Sequence, residues 1–313
     1  MKNQYTTYVK LLIVILVLWQ IPGNAQQDAN YTQYFYNTMA VNPAYAGSRG
    51  SLAVNLLYRS QWLGLDGSPE TQTLNIHAPT SERVGLGLSV VNDNIGNGTS
   101  QETNFAGVFS YTLPMGDYDK LAFGLRAGGN ILNIDFFKLR NLSEGVPADL
   151  QNVDNRFDFN FGLGFYYYNE KFYAGLSVPN FLSNQYFSAN SDVFLAEERP
   201  HLNFITGYVF ELSPRTLFKP ATLVRAVSGA PISVDISANF LFDRSFRLGA
   251  SYRLGSSISA LFGLNVSREF LIGIAYDRDA FDLGDIGLSD GSFELFLRYE
   301  FMNKKTLATP RFF

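Results

Sequence analysis

The sequence predicts an all-β protein: a transmembrane, antiparallel, up-and-down β-barrel of about 14 strands. Three observations point there. The chain opens with an export signal, nearly all of the remainder alternates with period two, and its strand connections alternate between short and long.

The signal comes first. Lys2 and Lys10 make a basic start, Leu11 to Trp19 is an unbroken apolar run, and Pro22-Gly23 interrupts it. Gly23 and Ala25 supply small residues at −3 and −1, so residues 1–25 are expected to be cleaved before Gln26. The apolar run is only about half the 20 residues a membrane-spanning helix needs. Later apolar runs are all broken by charged, Asn or Gly residues, and mean hydropathy is −0.02. A membrane barrel has such values too, because each strand offers lipid only one face.

Period-two alternation then runs along the chain. In Ser245 to Leu254, Phe246, Leu248, Ala250, Tyr252 and Leu254 share one face, against Ser, Arg and Gly on the other. In Pro231 to Asp243, Ile232, Val234, Ile236, Ala238, Phe240 and Phe242 oppose Ser233, Asp235, Ser237 and Asn239. In Arg156 to Tyr168 the alternating residues are Phe157, Phe159, Phe161, Leu163, Phe165 and Tyr167. A helix would scatter these residues around its axis, whereas a strand puts them on one side. Segments of this kind start near residues 50, 69, 83, 101, 119, 156, 171, 200, 216, 231, 245, 256, 269 and 291. Those near 69 and 216 are weakest, and without them the count is twelve. The last segment alternates Phe293, Leu295, Leu297, Tyr299 and Phe301 with Glu294, Phe296, Arg298 and Glu300, and ends on an aromatic residue. The expected organisation is a signal peptide (1–25), a pre-barrel segment (26–49), the barrel (50–301) and a periplasmic C-terminal tail (302–313).

Every second connection is short, as at Pro79 to Glu82, Asn169-Glu170 and Asp243-Arg244. The others are mostly longer, notably Lys138 to Asn155, Pro179 to Arg199 and Asp279 to Asp290, with Gly255 to Ser257 an exception. Short periplasmic turns and longer outer loops are the habit of outer-membrane barrels. On that assignment both ends of the mature chain are expected on the periplasmic side. A secreted β-sandwich is the competing fold. Its solvent face would be polar, but here the non-apolar face is rich in Gly, as in Arg83 to Asp93 and Leu121 to Asn130. Inside a barrel, glycine leaves room for a plug or for tight curvature.

Composition narrows the function. The chain has no cysteine, which removes thiolate metal sites, cysteine nucleophiles and disulfides together. Net charge is −4, becoming −6 once Lys2 and Lys10 leave with the signal, and no basic stripe suggests nucleic acid. The 18 Tyr and 28 Phe suit membrane girdles or a thick β-sandwich. The two histidines, His77 and His201, have no metal-ligand spacing and no partner for catalysis. Gly85/Gly87 and Gly124/Gly128/Gly129 lie within strands and open no helix, so they cradle no phosphate. Asn92 to Gly98 lacks the spacing and closing Glu of a calcium loop and reads as an outer turn. No catalytic residue, cofactor site or metal site is nominated, and the chain is not read as an enzyme.

The segment before the first strand, Tyr34 to Gly47, is aromatic and apolar, with a turn signal at Asn42-Pro43. It must pack on something, either at the periplasmic mouth or, slightly preferred, within the lumen as a plug. Arg59 and Gln61 are placed on the lumen face of the first strand, and Trp62 on the lipid face near the outer rim. Tyr34, Asn42, Pro43, Tyr45, Arg59 and Gln61 are therefore the candidate partner-binding or plug contacts. Charged rings would favour a porin. The lumen face reads mostly as Gly, Ser and Asn, with isolated Arg59, Arg126, Arg247 and Arg253.

Eight motifs fall in order along the chain: Gln33 to Gly47 with its Asn42-Pro43-Ala44-Tyr45-Ala46-Gly47, Tyr58 to Trp62, Gly67 to Gln72, Asn92 to Gly96, Tyr173 to Pro179, Arg199-Pro200-His201, Gly229-Ala230-Pro231 and Gly291 to Glu294. Together they resemble the PorP/SprF family of type IX secretion system membrane proteins over essentially the whole mature chain. Phe293 stands where that pattern leads one to expect His, which weakens the case for a chemical role at the position. The extension after Phe301 is longer than usual for the family. The resemblance implies an outer-membrane barrel that binds or anchors the C-terminal domain of a secreted, gliding-adhesin-like surface protein. Its partners would be that protein, other components of the secretion machinery and outer-membrane lipid. A passive porin for small solutes is the alternative.

Overall fold

Fourteen strands close on one another in the computed structural model, which describes residues 32–138, 152–182, 185–187, 194–197, 199–279 and 290–301. The signal peptide and the C-terminal tail expected from the sequence lie outside these residues. The first half of the wall is β1 (Leu52–Ser60), β2 (Glu70–Pro79), β3 (Val84–Ile95), β4 (Ser100–Pro114), β5 (Lys120–Ile134), β6 (Val153–Tyr168) and β7 (Phe172–Val178). A small hairpin, β8 (Gln185–Phe187) with β9 (Phe194–Glu197), stands apart from the wall. The wall resumes with β10 (His201–Tyr208), continued past Val209 by β11 (Phe210–Ser213), so that these two act as one strand. It is completed by β12 (Thr216–Val227), β13 (Ser233–Phe242), β14 (Phe246–Arg253), β15 (Ser257–Asn265), β16 (Phe270–Asp279) and β17 (Ser292–Phe301). All wall pairings are antiparallel, and β1 with β17 closes the ring, Leu52 opposite Phe301 and Ser60 opposite Phe293. Closure leaves the wall without an open side, which a membrane requires because lipid cannot satisfy backbone groups; β11 alone of the described wall strands pairs on one side only, with β12.

All fourteen segments read from the sequence became wall strands, each starting within three residues of its expected position. The two weakest became β2 and β12, and their faces explain the weak signal. The inward face of β2 is Thr71, Thr73, Asn75 and His77, all buried. β12 buries Lys219 and carries Pro220, which removes a ladder donor. Polar residues on a lumen face blur the contrast on which pattern reading depends.

The apolar faces point outward. Ile236, Phe246, Leu248 and Phe301 are each about half exposed, while Ser237, Asn239 and Arg247 between them are buried. In water such a belt would be an aggregation surface, but in a bilayer it meets its solvent. Stacked rings of Phe210, Phe218, Phe240 and Phe242 run along one stretch of it.

The short connections (80–83, 115–119, 169–171, 214–215, 243–245 and 266–269) share one rim, called the turn rim below. The other, the loop rim, carries 61–69, 135–152, 179–200 and 280–291, together with the tighter 96–99, 228–232 and 254–256. Asn92 to Ile95 belong to β3, so the turn expected over Asn92 to Gly98 begins only at Gly96.

The core lies inside the ring. Tyr34, Phe35, Tyr36, Met39, Val41, Ala44, Tyr45 and Ala46 form one buried cluster with inward wall residues such as Leu57, Tyr166, Ile205, Leu223 and Phe296. A barrel with lipid outside can build an apolar core only in its lumen, and here the chain's own pre-barrel segment fills that place. Within it are a short helix, α1 (Thr38–Val41), and a 3-10 turn at Pro43–Tyr45.

Candidate functional site

The candidate site is the interface between residues 32–51 and the lumen wall. At one end the backbone N–H groups of Thr32 and Gln33 donate to the two carboxylate oxygens of Glu294 (2.7 and 3.0 Å). Arg59 Nη1 bridges Glu294 (2.5 Å), Asp277 (2.7 Å) and Thr32 Oγ1 (3.3 Å), with all four residues buried. Arg59, Asp277 and Glu294 lie within three residues of the loop-rim ends of β1, β16 and β17. Thr32 is therefore at the loop rim. At the other end, Arg49 pairs with Glu300 (2.5 Å), Ser51 reaches Glu300, and the Gly47 N–H donates to His77 Nδ1 (3.3 Å), all next to the turn rim. Residues 32–51 thus cross the lumen from loop rim to turn rim before β1 begins. The mature N-terminus, expected on the turn side, lies outside the described residues. The ends of β1 and β17 do share that side, but Thr32 does not.

Glycine makes the passage fit. A Cβ on Gly124 would collide with the Ala44 backbone, and one on Gly164 with Asn42 Oδ1. Gly85 lies likewise against the Ala46 carbonyl and Gly87 against Met39. The Gly-rich inner faces of β3, β5 and β6 are a trough shaped to one segment.

The six sequence-nominated residues fall as follows. Tyr34 is buried, its ring edge-on to Phe35 (5.3 Å) and its hydroxyl 3.4 Å from Ser237. Asn42 donates from Nδ2 to the Phe165 carbonyl (2.9 Å) and accepts from the Ala44 N–H (2.9 Å), with Pro43 as the first residue of the turn that follows. Tyr45 packs edge-on against Tyr166 (5.5 Å) and His77 (5.6 Å). Arg59 anchors the loop-rim end. Gln61 is not with them: it follows β1 in the loop, partly buried, its N–H donating to Pro69 O. The other five share the lumen but are strung along its length and do not converge on one point. Trp62 is about half exposed at the loop rim, with a left-handed backbone (φ 49°).

The lumen arginines are not isolated as the sequence suggested. Arg253 and Arg225 flank Asp235 (2.7 and 3.3 Å), and Arg126 bonds Asn104 and Asn180. Near the turn rim, Arg298 shares Glu300 with Arg49 (2.8 Å), and Arg247 lies over the Tyr36 ring (5.2 Å). Sequence reading passed over Asp277, Glu294, Arg298, Glu300, Lys219 and Arg49. The available signal was the inward phase of β17, whose Glu294, Arg298 and Glu300 would require partners within the lumen. Phe293, by contrast, is on the outer phase. His77 is buried in the wall near the turn-rim end of β2, and His201 opens β10 at the loop rim. Among the described residues no group of three or more His, Cys, Asp or Glu is placed to hold a metal ion.

Several solved structures match most of this chain at low identity. The Acinetobacter baumannii outer membrane protein Omp33 matches at 9% identity over 80% of this chain and 98% of its own, with a TM-score of 0.48. The CymD monoaromatic hydrocarbon channel matches at 13% over 87% and 94% (0.48), and the KdgM porin at 10% over 80% and 99% (0.40). No curated protein matches the chain. The model of the family described as type IX secretion system membrane protein PorP/SprF matches residues 23–299. With that match covering all but the last two residues of the closed barrel, the chain belongs to the PorP/SprF family of type IX secretion system membrane proteins of the outer membrane.

Proposed function

We propose that this barrel is a non-enzymatic station of type IX secretion that binds the C-terminal domain of a secreted surface protein and holds it at the cell surface. The observation that carries the reading is the occupied lumen. Residues 32–51 fill it with buried aromatic and polar side chains bonded to the wall, an arrangement that disfavours a free solute path and leaves the loop rim as the binding face. That rim is braced. Leu63 and residues 290–291 exchange backbone hydrogen bonds, the Gly96 N–H donates to Gly67 O, and Asn97 bonds Asp66 (2.8 Å). Trp62, Leu65 and Ile95 are exposed on it, and exposed apolar side chains on a rigid frame suit a protein partner. On this reading Tyr34, Asn42, Pro43, Tyr45 and Arg59 hold the plug, and Gln61 belongs to the partner-facing loop.

Deleting the gene should release a type IX substrate from the surface into the medium. Unchanged retention with reduced small-solute uptake would replace the reading with a porin. The loop rim is expected outside, so a protease-cleavable tag at Leu65-Asp66 should be cut on whole cells while one at Asn169-Glu170 stays intact. The reverse pattern would invert the topology. The loop carrying Gly145, another natural site for such a tag, lies outside the described residues.

A further inference from the structure

One length of the wall rises past its neighbour. β6 pairs with β5 along its whole run, but with β7 only from Leu163 to Tyr168, because β7 ends at Val178 opposite Leu163. Val153 to Gly162 therefore continue beyond β7 on the loop-rim side. Just after β7 the chain covers the nearest part of that edge. The Phe181 N–H donates to the Phe161 carbonyl (2.8 Å), Asn160 Oδ1 accepts from the Phe181 and Leu182 N–H groups (2.9 and 3.0 Å), and the rings of Phe161 and Phe181 stack (5.2 Å). Further along β6, no strand among the described residues pairs on that side, and the β8–β9 hairpin pairs only with itself. The regular stretch of the open edge is Arg156 to Asn160, since Asn155 has a left-handed backbone (φ 49°) and the pairing with β5 slips beside it.

The backbone of this edge is aimed outward. Alternate residues of an antiparallel strand turn their N–H and C=O groups to alternate sides. Phe161 turns its carbonyl to Phe181, on the β7 side. Phe159 and Phe157 therefore turn their N–H and C=O groups the same way, away from β5. Lipid cannot satisfy such groups, which places this stretch clear of the bilayer at the loop rim. An open edge is the template to which an extended chain adds through main-chain hydrogen bonds, while side chains set the choice of chain. The side chains here are sorted by face. Phe157 and Phe159 are more than half exposed on the outer face, with Phe157 stacked on Phe105 (6.1 Å). Arg156 and Asp158 pair on the inner phase (3.3 Å). Neighbouring strands match face to face, so the chain that fits is extended, apolar on one face and polar on the other.

We propose that the Arg156–Asn160 edge of β6 takes up a strand of the secreted partner's C-terminal domain by strand addition, an inference that rests on the reading of the barrel as that domain's holder. The test follows, in the native cell, a fluorescent reporter fused to the C-terminal domain of a type IX substrate. Phe157→Pro with Phe159→Pro removes the two outward N–H groups and no bond to β5. Phe157→Thr with Phe159→Thr removes the rings and keeps the N–H groups. The proline pair should release the reporter into the medium as fully as deletion of the gene, with the heat-modifiable folded barrel retained, while the threonine pair keeps most of it on the surface. Retention by the proline pair, or equal release by both pairs, would overturn the edge alone. Retention after deletion of the gene would overturn the holder reading and the edge with it. If the proline pair does not insert, hydrogen–deuterium exchange on the unaltered protein decides. The Phe157 and Phe159 amides should exchange fast in the free barrel and slowly once the purified C-terminal domain is added. No slowing, or amides already slow in the free barrel, refutes the site.

Discussion

At the loop rim Thr32 and Gln33 are held by charge, whereas a few residues on, Asn42 to Gly47 are held by shape. The first contact is Arg59 between Glu294 and Asp277, with backbone N–H groups completing the carboxylate's shell. The second is a trough in which Gly124 and Gly164 have no side chain to spare, packed with Tyr45, Tyr166 and His77. Charge and shape fail differently. An ion pair broken on one side leaves a buried charge stranded. A notch that is filled expels what it held.

The largest effect should come from Arg59→Ala, which strands Glu294 and Asp277. A loss of about 3–5 kcal/mol is expected, read as urea-driven unfolding of the barrel in lipid vesicles. Adding Glu294→Gln should recover part of it; a single-variant loss below about 1 kcal/mol, the range of exposed pairs, would mean the anchor is solvated. Next comes the wall itself. Ile236→Arg should lower stability by about 2–4 kcal/mol at mid-membrane depth, because Ile236 faces outward while Ser237 faces the Tyr34 hydroxyl. Equal loss of folded barrel for Ile236→Arg and Ser237→Arg would invalidate the two-face assignment.

Gly124→Val tests the shape end. Overpacking there should cost about 1–3 kcal/mol, and the displaced segment should become open to trypsin at Arg49, now buried. Resistance at Arg49 in a folded Gly124→Val barrel would show that the trough yields without releasing the segment. Tyr34→Phe is the mildest change, about 0.5–1.5 kcal/mol for one hydrogen bond, with the segment still protected. A loss as large as that of Arg59→Ala would move the main anchor from the ion pair to Tyr34.

The sequence alone determined the wall. Alternation in Ser245 to Leu254 or Arg156 to Tyr168 is a local property, fixed by which neighbours share a face, so strand number, phase and lipid face were legible without any partner strand. The presence of aromatic cargo in Tyr34 to Tyr45 and of glycine on the facing strands was legible too, as a plug slightly favoured over a mouth-packed lead-in. Which end of the segment met which rim was not legible, because that depends on contacts across more than 100 residues, such as Thr32 with Glu294 or Asn42 with Phe165. Nor was the charge network. Arg59, Asp277 and Glu294 are separated by up to 235 positions in the chain and become neighbours only when β1 closes on β17. Period two says that a residue faces the lumen, and only closure of the ring says what it faces there.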